Sequence, residues 1–233
     1  MVTTAISAAS PFPDTLPLPG QGLHSGPHCI DLDGHLVQRL LTINDPPLVL
    51  LGNLLRADEC AALIDAARPR MARSQTVQQH TGGEELNTHR TSDGMFFRRG
   101  ETPLIQRIEE RLAHLLGWPL ENCEGLQVLR YGPGAEYRPH YDYFDPAEPG
   151  TPTLLQRGGQ RVATLLIYLS TPDEGGATMF PDLRLEVAPQ QGHAVFFRYD
   201  QPHPASRTLH GGAPVVTGEK WVATQWLRER KFE

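Results

Sequence analysis

Cysteine is scarce in this chain. Three residues in 233 (Cys29, Cys60 and Cys123) stand far apart and are odd in number. That excludes a disulfide framework and a cysteine-based zinc site, and fits a reducing compartment with the thiols as small buried hydrophobes. Long apolar runs are missing too: no stretch approaches the roughly 18–20 apolar residues of a membrane helix, so no membrane association is expected. The opening MVTTAISAASPFPDTLPLPG has neither the charged leader nor the unbroken apolar stretch of a signal peptide, which makes the cytoplasm the expected location. Positive charge is in deficit, with 21 Lys+Arg against 27 Asp+Glu and a net charge of −6. A nucleic-acid binder working through a basic surface is therefore excluded, while a protein or peptide substrate is not. There is no internal repeat.

Turn-forming residues, by contrast, are plentiful. Twenty-one prolines and 22 glycines favour strands and loops over a helical bundle. The length suits one domain with an N-terminal appendage, divided here as a partly extended arm over residues 1–45 and a domain over 46–233. Residues 1 to about 27 are rich in Pro, Ser, Thr and Gly. Ile30 to Ile43 reads as a short helix that Pro46-Pro47 ends, and Pro47 to Leu55 as a buried strand. Arg56 to Arg68 is helical, with Cys60, Leu63, Ile64 and Ala67 on one face. Pro69 to Gly100 turns polar, and Gln75 to Gly100 is a candidate lid. The clearest helix is Thr102 to Leu116, with Thr102 as N-cap, Pro103 at the first position, Gly117 closing it, and Glu109, Glu110 and Arg111 on a solvated face. Strand patterns follow over 126–131, 137–144, 161–169, 177–180, 183–187, 193–197 and 221–228. The expected fold is α+β but mainly β: a barrel or double-sheet jelly roll with helices packed outside.

Within that strand-rich half stands His140-x-Asp142. Residues i and i+2 of a strand share a face, so an imidazole and a carboxylate would meet at one point. His210 is the best candidate for a third ligand from elsewhere in the sheet. Two imidazoles and one carboxylate form the facial set that holds Fe(II) with positions open to a cosubstrate and O2. Ten residues on, Lys220 begins a strand in which Val222, Thr224 and Trp226 share its face. A buried ammonium needs an anionic partner, and the distal carboxylate of 2-oxoglutarate is one; the Thr178 hydroxyl and the Tyr131 phenol are the polar groups available to complete that site. A lone His-x-Asp is a weak signal. Its order and spacing relative to His210 and Lys220 carry the weight, and the remaining histidines (24, 28, 35, 80, 89, 114, 193 and 203) are read as surface or structural. Tyr143 and Phe144 fit a barrel core.

LQVLRYGPGAEYRPHYDYF, GGQRVATLLIYLS, EGGATMFP and LHGGAPVVTGEKWVATQWLRE, with RTSDGMFF before them, resemble the catalytic domain of the prolyl 4-hydroxylases, a branch of the Fe(II)/2-oxoglutarate oxygenases. The resemblance runs from about Pro47 to Arg230. It implies a double-stranded β-helix with supporting N-terminal helices. It assigns His140, Asp142 and His210 to iron and Lys220 to 2-oxoglutarate. Tyr131, Thr178, Trp226 and, less closely matched, Tyr168 would line the cosubstrate pocket, with Tyr137 and Arg161 facing the peptidyl proline. The implied reaction decarboxylates 2-oxoglutarate to succinate and hydroxylates a substrate C–H, with L-ascorbate as reductant. The chain departs from the animal collagen enzymes in lacking a separate peptide-binding domain, and in PASRTLH before the last ligand, so a proline in a cellular protein is expected rather than collagen. Competing readings are the same chemistry on a free amino acid or small metabolite, a catalytically silent peptide-binding jelly roll, and a cupin-like zinc or manganese protein. The oligomeric state is open.

Overall fold

The structure is a computed structural model that describes residues 18–74, 76–78, 83–85 and 90–233. Residues 1–17 of the expected N-terminal arm and part of the candidate lid lie outside these residues. The first elements correct the sequence reading. After helix α1 (Gln21–Ser25), the segment expected as a helix is a hairpin of β1 (Cys29–Leu32) and β2 (His35–Asn44). The turn is Asp33-Gly34, both with positive φ (55° and 82°), and Gly34 N–H donates to Asp31 Oδ1 at 2.6 Å. Asp-Gly between alternating apolar residues is a strong hairpin signal; His35 and Val37 are buried while Leu36 and Gln38 face out, a period of two rather than 3.6. β2 then pairs with β3 (Pro47–Gly52), Asn44 opposite Pro47. The division expected at residue 45 therefore falls inside a hairpin turn.

Helix α2 (Ala57–Ala67) follows, then β4 (Ala72–Arg73), β5 (Thr76–Gln78), β6 (Gly83–Glu85) and β7 (Asp93–Phe96). Helix α3 (Pro103–Leu116) starts where expected: Thr102 Oγ1 accepts from Ile105 N–H, Pro103 opens the first turn, and Gly117 closes it at φ 58°. Such a cap is worth about 1 kcal/mol. Its apolar stripe is buried, but Glu109, expected in solvent, is only 1% exposed. One Glu109 oxygen accepts from Gly100 N–H at 2.8 Å, and burial pushes its carboxyl up. Arg111 is tied to Glu59 at 2.8 Å, so of the three only Glu110 is exposed as expected.

The remaining elements are β8 (Gln127–Tyr131), β9 (Tyr137–His140), α4 (Thr151–Gln156), β10 (Arg161–Tyr168), β11 (Glu174–Gly175), β12 (Thr178–Phe180), β13 (Leu185–Val187), β14 (Ala194–Arg198), β15 (His210–Gly212), β16 (Val215–Thr217) and β17 (Lys220–Arg228). Two antiparallel sheets form the jelly roll. The larger has the order β1-β2-β3-β14-β10-β17-β8-β7-β4 and the smaller β13-β12-β15-β9. Every residue of β17 is buried, and the strand's alternation sorts them. Trp221, Ala223 and Leu227 join Ile105, Ile108 and Leu112 in the core under the helices. Lys220, Val222, Thr224 and Trp226 face the space between the sheets, where Leu129, Phe180, Val195 and Phe197 form a second core. Each large apolar side chain so buried contributes about 1.5–3 kcal/mol. Cys60 and Cys123 are buried, and burial raises both thiols to about 12. Cys29 is exposed, contrary to the expectation for all three.

Candidate active site

Strands β9 and β15 are neighbours in the smaller sheet, and their register sets His140 opposite His210. The two strands approach closely enough to require glycine, since a Cβ on Gly211 would stand 2.8 Å from the Tyr137 carbonyl oxygen. Asp142 arrives differently from expectation. The strand expected to run to Phe144 stops at His140, so strand alternation does not place Asp142. The carboxylate is instead held from the opposite sheet, where the Thr164 hydroxyl donates to Asp142 Oδ2 at 2.7 Å. Thr164 in turn lies 2.5 Å from the Tyr199 hydroxyl. With its own proton given to the carboxylate, Thr164 receives one from Tyr199, a relay that fixes the rotamer of Asp142.

His140 Nε2 lies 3.5 Å from Asp142 Oδ1, and His210 Nε2 lies 3.5 Å from Asp142 Oδ2. One donor atom from each of the three residues falls within 4.8 Å of the others, the only such group among the described residues. Both imidazoles donate through Nδ1–H to a carbonyl two residues back, His140 to Arg138 at 2.9 Å and His210 to Thr208 at 3.0 Å. That hydrogen bond leaves Nε2 as the nitrogen turned to the carboxylate. Burial first, and His140 after it, push His210 down to about 4 against the pull of Asp142. Burial alone would raise Asp142, but the histidines and Arg161 outweigh it and hold the carboxyl well below its ordinary range. At neutral pH the Nε2 lone pair of His210 thus faces an ionised carboxylate. Acceptor against acceptor is unfavourable unless a cation stands between them, and the donor set suits a divalent metal with open positions.

Behind this group, β17 pairs with β8 so that Lys220 sits opposite Tyr131. The Lys220 ammonium is 5.6 Å from the Tyr131 ring and 5.8 Å from the Tyr168 ring. The Tyr168 hydroxyl donates to Thr178 Oγ1 at 2.8 Å. Lys220 is 3% exposed, and no carboxylate pairs with it among the described residues. Burial accordingly lowers its ammonium to about 7.

Residues 126–228 match the family model of the 2OG-Fe(II) oxygenase superfamily. Prolyl 4-hydroxylase 5 of Arabidopsis thaliana is 40% identical over 210 residues, spanning 81% of this chain and 70% of the relative. The chain belongs to the prolyl 4-hydroxylase family. Prolyl 4-hydroxylase 1 of the same plant is 41% identical over 204 residues, 79% of this chain and 70% of its own. Among solved structures, the viral collagen prolyl hydroxylase of Paramecium bursaria Chlorella virus-1, crystallised with 2-oxoglutarate, is 32% identical, with a TM-score of 0.60 over 78% of this chain and 95% of that one. A Pseudomonas putida prolyl 4-hydroxylase shares the fold, at 21% identity and a TM-score of 0.53, over 78% of this chain and 92% of its own.

Trp226 lines the same pocket as Tyr131, Thr178 and Lys220 but stands away from the lysine along the strand. Trp226 lies six residues beyond Lys220 on the same strand, roughly 20 Å at about 3.3 Å per residue. It pairs in register with Thr164, at the level of Asp142 rather than of the lysine. The Arg161 guanidinium stacks 3.8 Å over the Trp226 ring, and its Nη1 is 3.4 Å from the Asp142 carbonyl oxygen. Tyr137 stacks on His140 at 3.7 Å between ring centroids and lies 5.0 Å under Arg90. Sequence reasoning missed four residues here. Arg90 lines the pocket; Glu124 is buried between Arg161 at 2.7 Å and Arg228 at 2.8 Å; Thr164 and Tyr199 hold Asp142. Threonine within the nearly unbroken apolar run RVATLLIYL was the available signal, because a hydroxyl buried there needs a partner. A partner that orients a metal ligand typically carries 10–100-fold in metal affinity. Thr164→Val is expected to weaken metal binding by about that factor with little loss of fold, measured by titration with Mn(II) or Fe(II). Unchanged affinity would show that the Asp142 rotamer needs no such support.

Proposed function

We propose that this chain is an Fe(II)- and 2-oxoglutarate-dependent dioxygenase that hydroxylates peptidyl proline. The observation that carries the reading is the convergence of His140, Asp142 and His210 donors within 4.8 Å, in front of a buried lysine that has no carboxylate partner among the described residues. His140, Asp142 and His210 would hold the metal. Bound there, ferrous iron would support the oxidation that converts 2-oxoglutarate and O2 to succinate and CO2 while a substrate C–H becomes C–OH.

The chain's own residues bind, orient and shield. The Lys220 ammonium meets the distal carboxylate of 2-oxoglutarate, and the Tyr131 phenol with the Tyr168–Thr178 hydroxyl pair supplies further polar contact. Thr164 keeps Asp142 aimed. Tyr137 and the stacked Trp226 and Arg161 flank the place where a proline ring would meet the metal face, with their apolar surfaces keeping water from it. L-ascorbate is proposed as the reductant that maintains the ferrous state. A second cavity beyond the Arg161–Trp226 stack favours a peptide over a free amino acid.

The test is succinate formation that requires both Fe(II) and 2-oxoglutarate, together with a product one oxygen heavier on a proline-containing peptide. Both are expected to disappear in His140→Ala. Turnover surviving in that variant would remove the metal assignment. Oxidation of free amino acids in preference to peptides would replace the substrate.

A further inference from the structure

The Arg161–Trp226 stack is a partition. Trp226 lines the pocket of the metal ligands, and Arg161 lines a second, larger cavity on its other side, with a volume of about 760 Å3. That is within the usual range of ligand-binding cavities, roughly 300–1,000 Å3. Its apolar surface is aromatic, from Phe96, Phe144 and Phe232. Phe96 is 49% exposed and lies 6.3 Å from the Trp226 ring.

The charge lining this cavity runs against that of the chain. Five arginines and only two glutamates line it, in a protein of net charge −6. Arg161 and Arg228 share a single carboxylate, Glu124. Arg99 spends its donors on main-chain oxygens of Glu121 and Phe232, both at 2.6 Å, and Arg157 donates through Nε to the main-chain oxygen of Glu233 at 3.0 Å. The oxygens that meet Arg99 belong to peptide units and carry no formal charge, so those bonds leave its positive charge largely uncompensated, whereas Arg157 is bonded at Glu233, whose carboxylate also lines the cavity. Arg98 is exposed at the rim. Arg228 is 3% exposed and its Nε–H is buried without a hydrogen-bond acceptor among the described residues. A desolvated donor and an excess of cations around a concave wall focus a positive potential into the cavity.

We propose that this cavity selects substrates by an acidic residue: an Asp or Glu side chain near the target proline enters it and meets the guanidiniums of Arg98, Arg157 and Arg228. The proposal rests on the reading of the chain as a peptidyl-proline hydroxylase. A peptide in polyproline II form advances about 3.1 Å per residue, so a proline at the metal face and an acid roughly three positions away span the partition. Phe96 and Phe144 provide the apolar surface against which the intervening residues lie. The specificity comes from a charge-assisted pairing that a neutral amide does not reproduce.

The test compares two labelled peptides of equal length with one central proline, carrying Asp in one and Asn in the other at the flanking positions. Binding to the full chain loaded with Fe(II) and 2-oxoglutarate is measured anaerobically by fluorescence polarisation, and turnover is then measured in air. The Asp peptide is expected to bind about tenfold or more tightly, with an advantage that shrinks as salt rises. In the double variant Arg98→Gln, Arg157→Gln, both exposed positions, the two peptides are expected to bind alike, with the loss read in KM rather than in kcat. Equal binding of the two peptides by the unaltered chain overturns the proposal. So does an acidic preference that survives the double variant. A preference lost in the double variant, on peptides that are never hydroxylated, leaves the acidic site standing and removes the prolyl reading instead.

Discussion

Asp142→Ala is expected to leave a folded protein that no longer retains ferrous iron. Of the three ligands Asp142 alone carries charge to set against the metal, and it alone touches both imidazoles, 3.5 Å from each. Removing one member of a buried charge pair costs about 3–5 kcal/mol, which at about 1.36 kcal/mol per decade is two to four decades of affinity. Succinate formation should fall by at least as much. The fold should survive with at most a modest loss of apoprotein stability. The two histidines and Arg161 that favour the ionised carboxylate, and the Thr164 hydroxyl that donates to it, surround the site and are not part of the apolar core under the helices. The readout is thermal. With metal at about 100 times its dissociation constant, the unaltered chain gains about 2.7 kcal/mol, or some 5–10 °C for a chain of this size. Asp142→Ala should melt near the unaltered apoprotein and ignore added metal. A variant that still gains several degrees with Fe(II) or Mn(II) would show that the carboxylate is not a ligand.

Strands β3, β8, β10, β12, β13, β14 and β17 were legible because their periodicity is strong and their turns are marked, whereas the short β15 and β16 carry too few residues to show a period. The helix α3 was legible because both of its ends are signed, by Thr102-Pro103 and by Gly117. The site was legible in part. His210 and Lys220 carry their spacing in the sequence, and the register of β15 against β9 and of β17 against β8 turns that spacing into proximity. Asp142 does meet the two histidines, but not for the reason expected, since the turn after β9 and the Thr164 hydroxyl place it, and neither is visible as a strand pattern. Trp226 shows the opposite limit. Alternation gave its face correctly but says nothing of depth along the strand, and depth is what separates it from Lys220. Glu109 and Glu124 were hidden for a third reason: acidic residues in a polar-looking stretch read as solvated unless the partner is known. Glu109 meets Gly100 nine residues away, and the partners of Glu124, Arg161 and Arg228, lie 37 and 104 residues off. The Ile30–Ile43 error was avoidable, because Asp33-Gly34 states a hairpin in local chemistry.

Lys220→Met should make the apoprotein more stable and useless for 2-oxoglutarate. An ammonium 3% exposed carries a cost that the Tyr131 and Tyr168 rings, at 5.6 and 5.8 Å, relieve only in part and that no carboxylate relieves among the described residues. Burial takes it from 10.5 in the unfolded chain to about 7 in the fold. At about 1.36 kcal/mol per pH unit that fall is on the order of 5 kcal/mol. The folded value lies below the unfolded one, so the unfolded chain holds the extra proton between about pH 7 and 10.5. The penalty is therefore present in full below about 7 and fades as pH rises towards 10.5, so the apoprotein should gain stability with pH across that window. Methionine fills much of the same volume without charge, and should raise the apoprotein melting temperature by several degrees at neutral pH. Binding moves the other way. The dicarboxylate prefers the protonated lysine, so its affinity should be level below about pH 7 and fall above it by up to about tenfold per pH unit. In Lys220→Met both the affinity and its pH dependence should be lost, with KM for 2-oxoglutarate rising about a hundredfold or more. Lys220→Arg separates charge from geometry: its cation does not titrate in this range, so whatever affinity remains should be flat across the same pH values. Unchanged 2-oxoglutarate affinity in Lys220→Met would move the cosubstrate carboxylate elsewhere in the jelly roll. A fall in apoprotein stability would mean that the ammonium has a partner in the fold after all.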